Sequence, residues 1–414
     1  MAADLSPENA SPGRWLSIVG IGEDGPAGLG EAAQEALRAA ALVFGGSRHL
    51  ALAAPLIRGE ARAWPSPFAD GMDAVLAARG TKVCVLASGD PFLHGVGATL
   101  APRIEAAEMA VYPAPSAFSL AAARLGWPLH GVTAVSLHGR SLDLVRPHLS
   151  PGARLLALTS DGRGPAAVAR LLSEAGFGSS RLTVLEALGG PRERIRQAPA
   201  DGFALTEVDP LNMLAVEVAA QPGARIVPLA AGRPDTLFEH DGQLTRREIR
   251  AVVLSSLAPR HSELLWDVGS GSGSVAIEWM LAHPSLRAVA VERVAERAQR
   301  ILRNAAACGV PAHGLVEGEA PAALSGLEAP DAVFVGGGGS DDGVMAAVVD
   351  ALKPGGRLVA NAVTLEMEAV LLAHRERLGG ELLRLSVARA APVGGMQAWR
   401  PAMPVTQWIW EKPC

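Results

Sequence analysis

The chain has 414 residues, too many for one ordinary core and suited to two or three domains of roughly 100–200 residues each. Hydrophobic content of 49% with 46 Gly and 30 Pro is that of a turn-rich α/β protein, and no apolar run approaches the roughly 20 residues of a spanning helix. A net charge of −5 without a basic run excludes nucleic acid and membrane surfaces as expected partners.

Residues 1–13 have neither a basic start nor an apolar core, so they read as a loose, disordered tail and not as a secretory signal. Cys84, Cys308 and Cys414 are far apart and form no metal spacing. No metal is expected, and a reduced cytoplasm is the natural compartment. Lysine occurs only at Lys82, Lys353 and Lys412, so arginine supplies nearly all of the basic residues. A GC-rich genome would explain that bias. So would a substrate with several carboxylates, which planar guanidinium forks suit.

The first half alternates strand-like runs (15–19, 83–87, 134–137, 154–159, 182–185 and 213–218) with Ala/Leu-rich helical runs, which predicts parallel sheet. Val19-Gly20-Ile21-Gly22-Glu23-Asp24-Gly25 matches G-x-G-x-x-G after a strand. No acid closes the next strand at the right distance, so it fails as a dinucleotide motif. The stretch Ala87-Ser88-Gly89-Asp90-Pro91-Phe92-Leu93-His94-Gly95 follows the run at 83–86, and alone it is an ordinary turn. Further on come Val111-Tyr-Pro-Ala-Pro-Ser116-Ala117 and Glu186-Ala-Leu-Gly189-Gly-Pro-Arg-Glu-Arg194.

The segment 222–241 is punctuated by Pro and Gly and shows no periodicity, which predicts a linker between domains at 14–221 and 242–414. Thr245-Arg-Arg-Glu248 then spells a capping box ahead of the amphipathic run Ile249–Leu257, and it sets the Thr245 hydroxyl before the next sheet as a candidate cofactor contact. A second strand series follows, 264–268, 288–291, 314–317, 332–335, 357–360 and a terminal 407–410, and it too predicts parallel sheet.

The densest signal is Asp267-Val-Gly269-Ser270-Gly271-Ser272-Gly273, with a helical run behind it and Glu292 closing the next strand. Alternating glycines let a ligand press on bare backbone, and a carboxylate at that strand tip holds a ribose diol in α/β folds. A nicotinamide loop would carry its third glycine one residue later. Asp267 would also sit badly beside a pyrophosphate, but it suits a ligand with an ammonium or sulfonium. S-Adenosylmethionine is therefore the expected cofactor, with a nicotinamide oxidoreductase or a non-catalytic scaffold as rivals. Gly336–Gly339, after the fourth strand of this series, is either a flexible connection or a wall of the site. Pro354-Gly355-Gly356 is a plain turn.

The Asp267–Gly273 loop, Val291-Glu292, Glu317-Gly-Glu319-Ala320-Pro321 and Leu352–Arg357 together resemble successive motifs of the class I Rossmann-like methyltransferases. That resemblance implies that Glu319 and Ala320 flank the adenine. The motifs of residues 14–220 resemble the tetrapyrrole methylases, the class III methyltransferases, whose two-subdomain α/β fold binds the same cofactor in a cleft. It implies cofactor contacts from Glu23, Ser88, Gly89, Asp90, Leu93, Ser116, Ala117 and Gly189. The chain departs from that family at Glu23 and Asp24, where proline and glycine are usual.

The order of the two folds, and the junction Arg233–Arg250, are similar to the precorrin-6Y C5,15-methyltransferase (decarboxylating) family of cobalamin biosynthesis. This resemblance implies two S-adenosylmethionine sites. It implies methylation of precorrin-6B at C5 by the first half, then methylation at C15 and loss of the C12 acetate carboxyl by the second, giving precorrin-8. It also implies a homo-oligomer, a tetramer through the C-terminal domain. A dual methylase of another tetrapyrrole is the nearer rival. No nucleophile–base triad is expected. On the substrate side the candidates are Asn361, Arg389 and Arg400, with Trp399 against the macrocycle; the plain alternative makes Arg400 a surface arginine and Trp399 a core aromatic. His94 and His138 are candidates for proton handling at C5, or simply structural histidines.

Overall fold

The computed structural model describes residues 13–414, so the expected tail falls outside the described residues apart from Gly13. The chain divides into two compact units. One comprises the residues up to Arg140 with Pro151–Gly223, and the other Ser141–Ser150 with Ala224–Cys414. Among the described residues no helix is long and apolar enough to cross a membrane.

The first unit holds two sheets. Strands β1 (Leu16–Ile21), β2 (Leu42–Gly45), β3 (Glu60–Ala63), β4 (Val83–Ser88) and β5 (Met109–Tyr112) form a parallel sheet in the order β3-β2-β4-β1-β5. β1 and β4 are nearly continuous apolar runs because both faces of this sheet are covered. The second sheet contains β6 (Thr133–Ser136), β7 (Arg154–Leu158), β8 (Arg181–Glu186), β9 (Arg194–Pro199) and β10 (Asn212–Glu217), in the order β6-β7-β10-β8-β9. Only β6 and β7 run parallel; the other neighbours are antiparallel. The expectation of parallel sheet throughout this half is corrected here. β9 is a half-exposed polar strand reached by a short connection from β8, and short connections favour antiparallel pairing.

The second unit is built on β11 (Leu264–Val268), β12 (Arg287–Glu292), β13 (Gly314–Glu317), β14 (Ala332–Val335), β15 (Arg357–Ala362), β16 (Glu381–Leu385) and β19 (Val405–Glu411). Their order is β13-β12-β11-β14-β15-β19-β16; the expected parallel pairing holds as far as β15, while the terminal β19 and its neighbour β16 are antiparallel at one edge. β17 (Ala388–Val393) and β18 (Met396–Pro401) form a separate exposed ribbon.

Helix Ala295–Cys308 shows how pattern becomes packing. It buries Ala298, Ile301, Ala305 and Cys308 on one stripe and ends at Gly309, whose left-handed backbone lets its N–H bond Ala305. Helix Ser274–Ala282 is apolar on nearly every side, and its one charge, Glu278, is buried. Gly232 and Arg233 are tied onto it. Glu278 accepts the Gly232 and Arg233 amides at 2.8 and 2.9 Å and Arg250 Nε at 2.7 Å. Arg250 lies over the Phe238 ring at 4.8 Å.

Candidate active sites

In the second unit the connections leaving β11 and β14 run to opposite sides of the sheet, which opens a crevice at the carboxyl ends of these neighbours. Gly269 follows β11 at φ +68°. A β-carbon there would stand 2.4 Å from the Gly337 carbonyl oxygen, so only glycine lets the two loops meet. Gly336–Gly338 is thus a wall of the crevice.

A cavity of about 500 Å³ opens at this point, bordered by Gly269, Ser270, Gly271, Glu292, Glu319 and Ala320. Glu292 is 4% exposed; its Oε2 accepts the Gly271 amide at 2.8 Å and its Oε1 the Val294 amide at 3.0 Å. A carboxylate has about four lone-pair sites, so capacity remains for a diol. Glu319 is mostly exposed and pairs with Arg293 at 3.3 Å.

Asp267 is not in the cavity wall. It is 1% exposed beneath the loop, and its Oδ2 accepts Ser270 Oγ at 2.7 Å and the Ala276 amide at 3.1 Å, while Oδ1 has no partner. Burial pushes its pKa up to about 6 against those two hydrogen bonds, and Glu292 adds to the rise. Its chemistry is to hold the loop. Ser272 and Gly273 also shape the loop from below: the Ser272 carbonyl accepts Asn304 Nδ2 at 2.9 Å, and Gly273 precedes the helix at Ser274.

Thr245 lines the cavity but caps nothing. The helix runs Arg247–Leu257, with Arg246 at its N-cap and no side-chain cap. The capping-box expectation fails because its parts are engaged elsewhere. Arg250 takes the Thr245 carbonyl, and Glu248 forms an ion pair with Arg389 from the far side of the cavity. Asp241 steadies the strip ahead of Thr245, accepting Arg297 Nε at 2.8 Å and the Gln243 amide at 3.1 Å. Those contacts, Arg297 first, hold its carboxyl well below the usual range.

Asn361 and Arg389 border the same cavity, and Asn361 Oδ1 accepts Gln407 Nε2 at 2.9 Å. Arg400 does not border it. It sits opposite Arg389 in the exposed ribbon, reaching the Pro392 carbonyl at 3.4 Å. Trp399 is 74% exposed and is no core aromatic.

In the first unit the loops after β1, β4 and β5 converge. A β-carbon on Gly20 would stand 1.8 Å from the Gly89 carbonyl oxygen, and that oxygen accepts the Ala114 amide at 3.2 Å. Asp90 Oδ1 accepts the Phe92 amide at 2.8 Å, fixing the turn that leaves Leu93 and His94 exposed. Ser116 caps helix Ala117–Leu125 by accepting the Ser119 amide at 3.1 Å. The Gly189 amide is held by Glu193 Oε2 at 2.7 Å.

Glu23 is committed to Arg48 and, at 3.5 Å, to Arg192. His138 is exposed, 3.4 Å from the Thr159 carbonyl. The sequence reading missed Arg48 and His49, which helix Ser47–Ala53 brings to Ser88. The Gly45-Gly46 break before them was the available signal.

The tetrapyrrole (corrin/porphyrin) methylase family matches residues 16–204, and the precorrin methyltransferase domain family matches residues 236–412. A Sinorhizobium protein named precorrin-6Y C(5,15)-methyltransferase (decarboxylating) is 62% identical over 99% of this chain and 100% of its own. The chain belongs to the precorrin-6Y C5,15-methyltransferase (decarboxylating) family. A second such C5,15-methyltransferase, from Mycobacterium tuberculosis, is 41% identical over 95% of this chain and 98% of its own. A Salmonella typhimurium protein named cobalt-precorrin-6B C(15)-methyltransferase (decarboxylating) is 37% identical over 39% of this chain and 85% of its own. As a precorrin-6Y C5,15-methyltransferase the chain is an S-adenosylmethionine-dependent, decarboxylating C-methyltransferase of cobalamin biosynthesis, a tetrapyrrole methylase domain followed by a class I-type domain.

Proposed function

We propose that each unit holds one S-adenosylmethionine. In this reading the first unit methylates precorrin-6B at C5. The second methylates C15 and releases the C12 acetate carboxyl as carbon dioxide, giving precorrin-8. The observation that carries it is the buried Glu292 carboxylate, bonded to the Gly271 amide at the rim of a glycine-floored cavity. That donor set fits the ligand: a carboxylate for a ribose diol and bare backbone for a close approach. The Salmonella relative's name puts C15 methylation and decarboxylation on one shorter chain, which supports pairing these steps in one unit.

When bound, S-adenosylmethionine supplies a methyl group activated by a sulfonium, and transfer leaves a neutral thioether. In the second unit Glu292 would accept the ribose hydroxyls, Glu319 and Ala320 would flank the base, and Gly269–Gly271 would carry the amino-acid portion. Asp267 holds Ser270 and Ala276 in place for that purpose. Asn361 and Arg389 would face the macrocycle. Arg389 gives donors to Glu248 and retains others, since a guanidinium has five. Arg400 and Trp399 on the ribbon would meet its rim. In the first unit Ser88, Gly89, Asp90, Leu93, Ser116, Ala117 and Gly189 would line the donor cleft. Glu23 would act from behind its arginine pairs, and the exposed His94 would stand at the cleft's edge. Holding donor and acceptor in line can lower a barrier by up to roughly 7–11 kcal/mol, so few reactive side chains are required.

Calorimetric titration of the full chain with S-adenosylhomocysteine tests the two-site reading. Two molecules should bind per chain, and Gly269→Ala should leave one. A single site in the unaltered protein would refute it.

A further inference from the structure

Arg48 and His49 gather against Ser88 where the parallel sheet of the first unit ends, and the reading above gives these two side chains no role. His49 Nε2 lies 2.7 Å from Ser88 Oγ. Arg48 Nη2 lies 2.9 Å from the same oxygen and 2.8 Å from His49 Nε2. An arginine only donates. Nε2 must therefore accept, which leaves the imidazole neutral with its proton on Nδ1, a buried atom with no partner. Ser88 Oγ accepts from Arg48 and gives its own hydrogen toward Nε2. Glu23 balances Arg48 from the other side, with Arg192 at 3.5 Å beyond it. Ser88 itself is exposed and stands directly before Gly89 and Asp90. Burial, and after it the Arg48 charge, push His49 down to about 4, so Nε2 carries no proton at neutral pH. Among the described residues His94 has no comparable partner.

We propose that Ser88 and His49 form a proton relay for carbon methylation in the first unit, with Arg48 fixing the tautomer that lets it run. The relay rests on the reading that this unit methylates C5. Adding a methyl group to a ring CH leaves that carbon bearing hydrogen and methyl together, and conjugation returns only when the proton departs. The C5–H bond breaks and its electron pair returns to the ring. Its proton goes to Ser88 Oγ as the Ser88 hydrogen moves to His49 Nε2. The imidazolium then loses the extra proton to water through the exposed serine. Ser88 is the catalytic residue, and His49 acts through it.

The test uses the full chain with precorrin-6B and resolves C5 from C15 methylation by product mass and NMR. His49→Gln should slow C5 methylation by about 100-fold or more, in kcat and not in KM. Its S-adenosylhomocysteine affinity, C15 methylation and carbon dioxide release should match the unaltered protein. His49→Ala should regain C5 methylation with added imidazole. In ligand-free protein, nitrogen NMR of the histidines should find His49 neutral with its proton on Nδ1 at pH 7, and Ser88→Ala should shift the Nε2 signal. C5 methylation within about threefold of normal in His49→Gln, or a loss that follows lost S-adenosylhomocysteine affinity, would overturn the relay. Gly20→Ala, or Leu93→Arg where that variant does not fold, separates the two ideas. C5 methylation that survives a blocked first site overturns the reading of that unit, and the relay with it. C5 methylation lost there but kept in His49→Gln overturns the relay alone.

Discussion

Glu292 accepts the Gly271 amide at 2.8 Å, so the carboxylate at the tip of β12 holds in place the same glycine loop with which it would share a ligand. One side chain therefore contributes to both the shape and the charge of the cavity. Hydrogen bonds to a charged group contribute about 1.5–3 kcal/mol. Glu292→Ala should weaken S-adenosylhomocysteine binding at the second site by roughly 10- to 100-fold, leaving the first site unchanged. Calorimetry that resolves the two sites checks this.

Asp267 gives a pH signature. Burial raises its folded-state pKa to about 6 from the ordinary 3.8. The folded chain thus keeps a proton that the unfolded chain releases near pH 4, and stability must fall as pH rises from about 4 to 6. Asp267→Asn carries no such charge. The melting temperature of Asp267→Asn minus that of the unaltered protein should climb across this window and level off above it. A difference that stays flat between pH 4 and 7 would contradict the assignment.

Glu278 and Arg250 pair at 2.7 Å with neither side chain exposed. Removing one partner of such a pair costs about 3–5 kcal/mol, because the other charge is left buried. Glu278→Ala should lower the unfolding free energy of the second unit by that amount, read from denaturant melts. It should also loosen residues 232–235, which amide exchange would register.

How much of this was legible beforehand depended on whether the chemistry was local. Gly269, Gly271 and Glu292 stood out because close backbone contact and a strand-tip acid demand those residue types at that spacing. The parallel pairing of β11–β15 followed from alternating strands and helices. The capping box at Thr245 misled because Glu248 is claimed by Arg389, about 140 positions away, and Arg250 takes the Thr245 carbonyl. β2 and β3 are four-residue strands inside Ala-rich sequence, so Arg48 and His49 at the end of β2 had no frame to mark them. β9 and the β17–β18 ribbon are exposed on most positions and lack the alternation that burial imposes. Asp267 was legible as a residue but not in its direction, which points under the loop.

Arg389 and Arg400 sit opposite each other in the ribbon, yet only Arg389 borders the cavity. Arg389→Ala should raise the KM for precorrin-6B in C15 methylation about tenfold, the equivalent of one charged contact. Arg400→Ala should have a smaller effect of the same kind. Steady-state kinetics read by product mass decide this, and C15 methylation and carbon dioxide release untouched by Arg400→Ala would remove that residue from the site.

The most direct test of two methyl-donor sites with divided work is the product mass of the full chain acting on precorrin-6B when one site at a time is blocked. Gly20→Ala should give a product that has lost carbon dioxide and gained one methyl, at C15. Gly269→Ala should give a product that keeps its carboxyl and gains one methyl, at C5. Loss of both methyl transfers in either variant, with both units still folded by their melting transitions, would contradict the division.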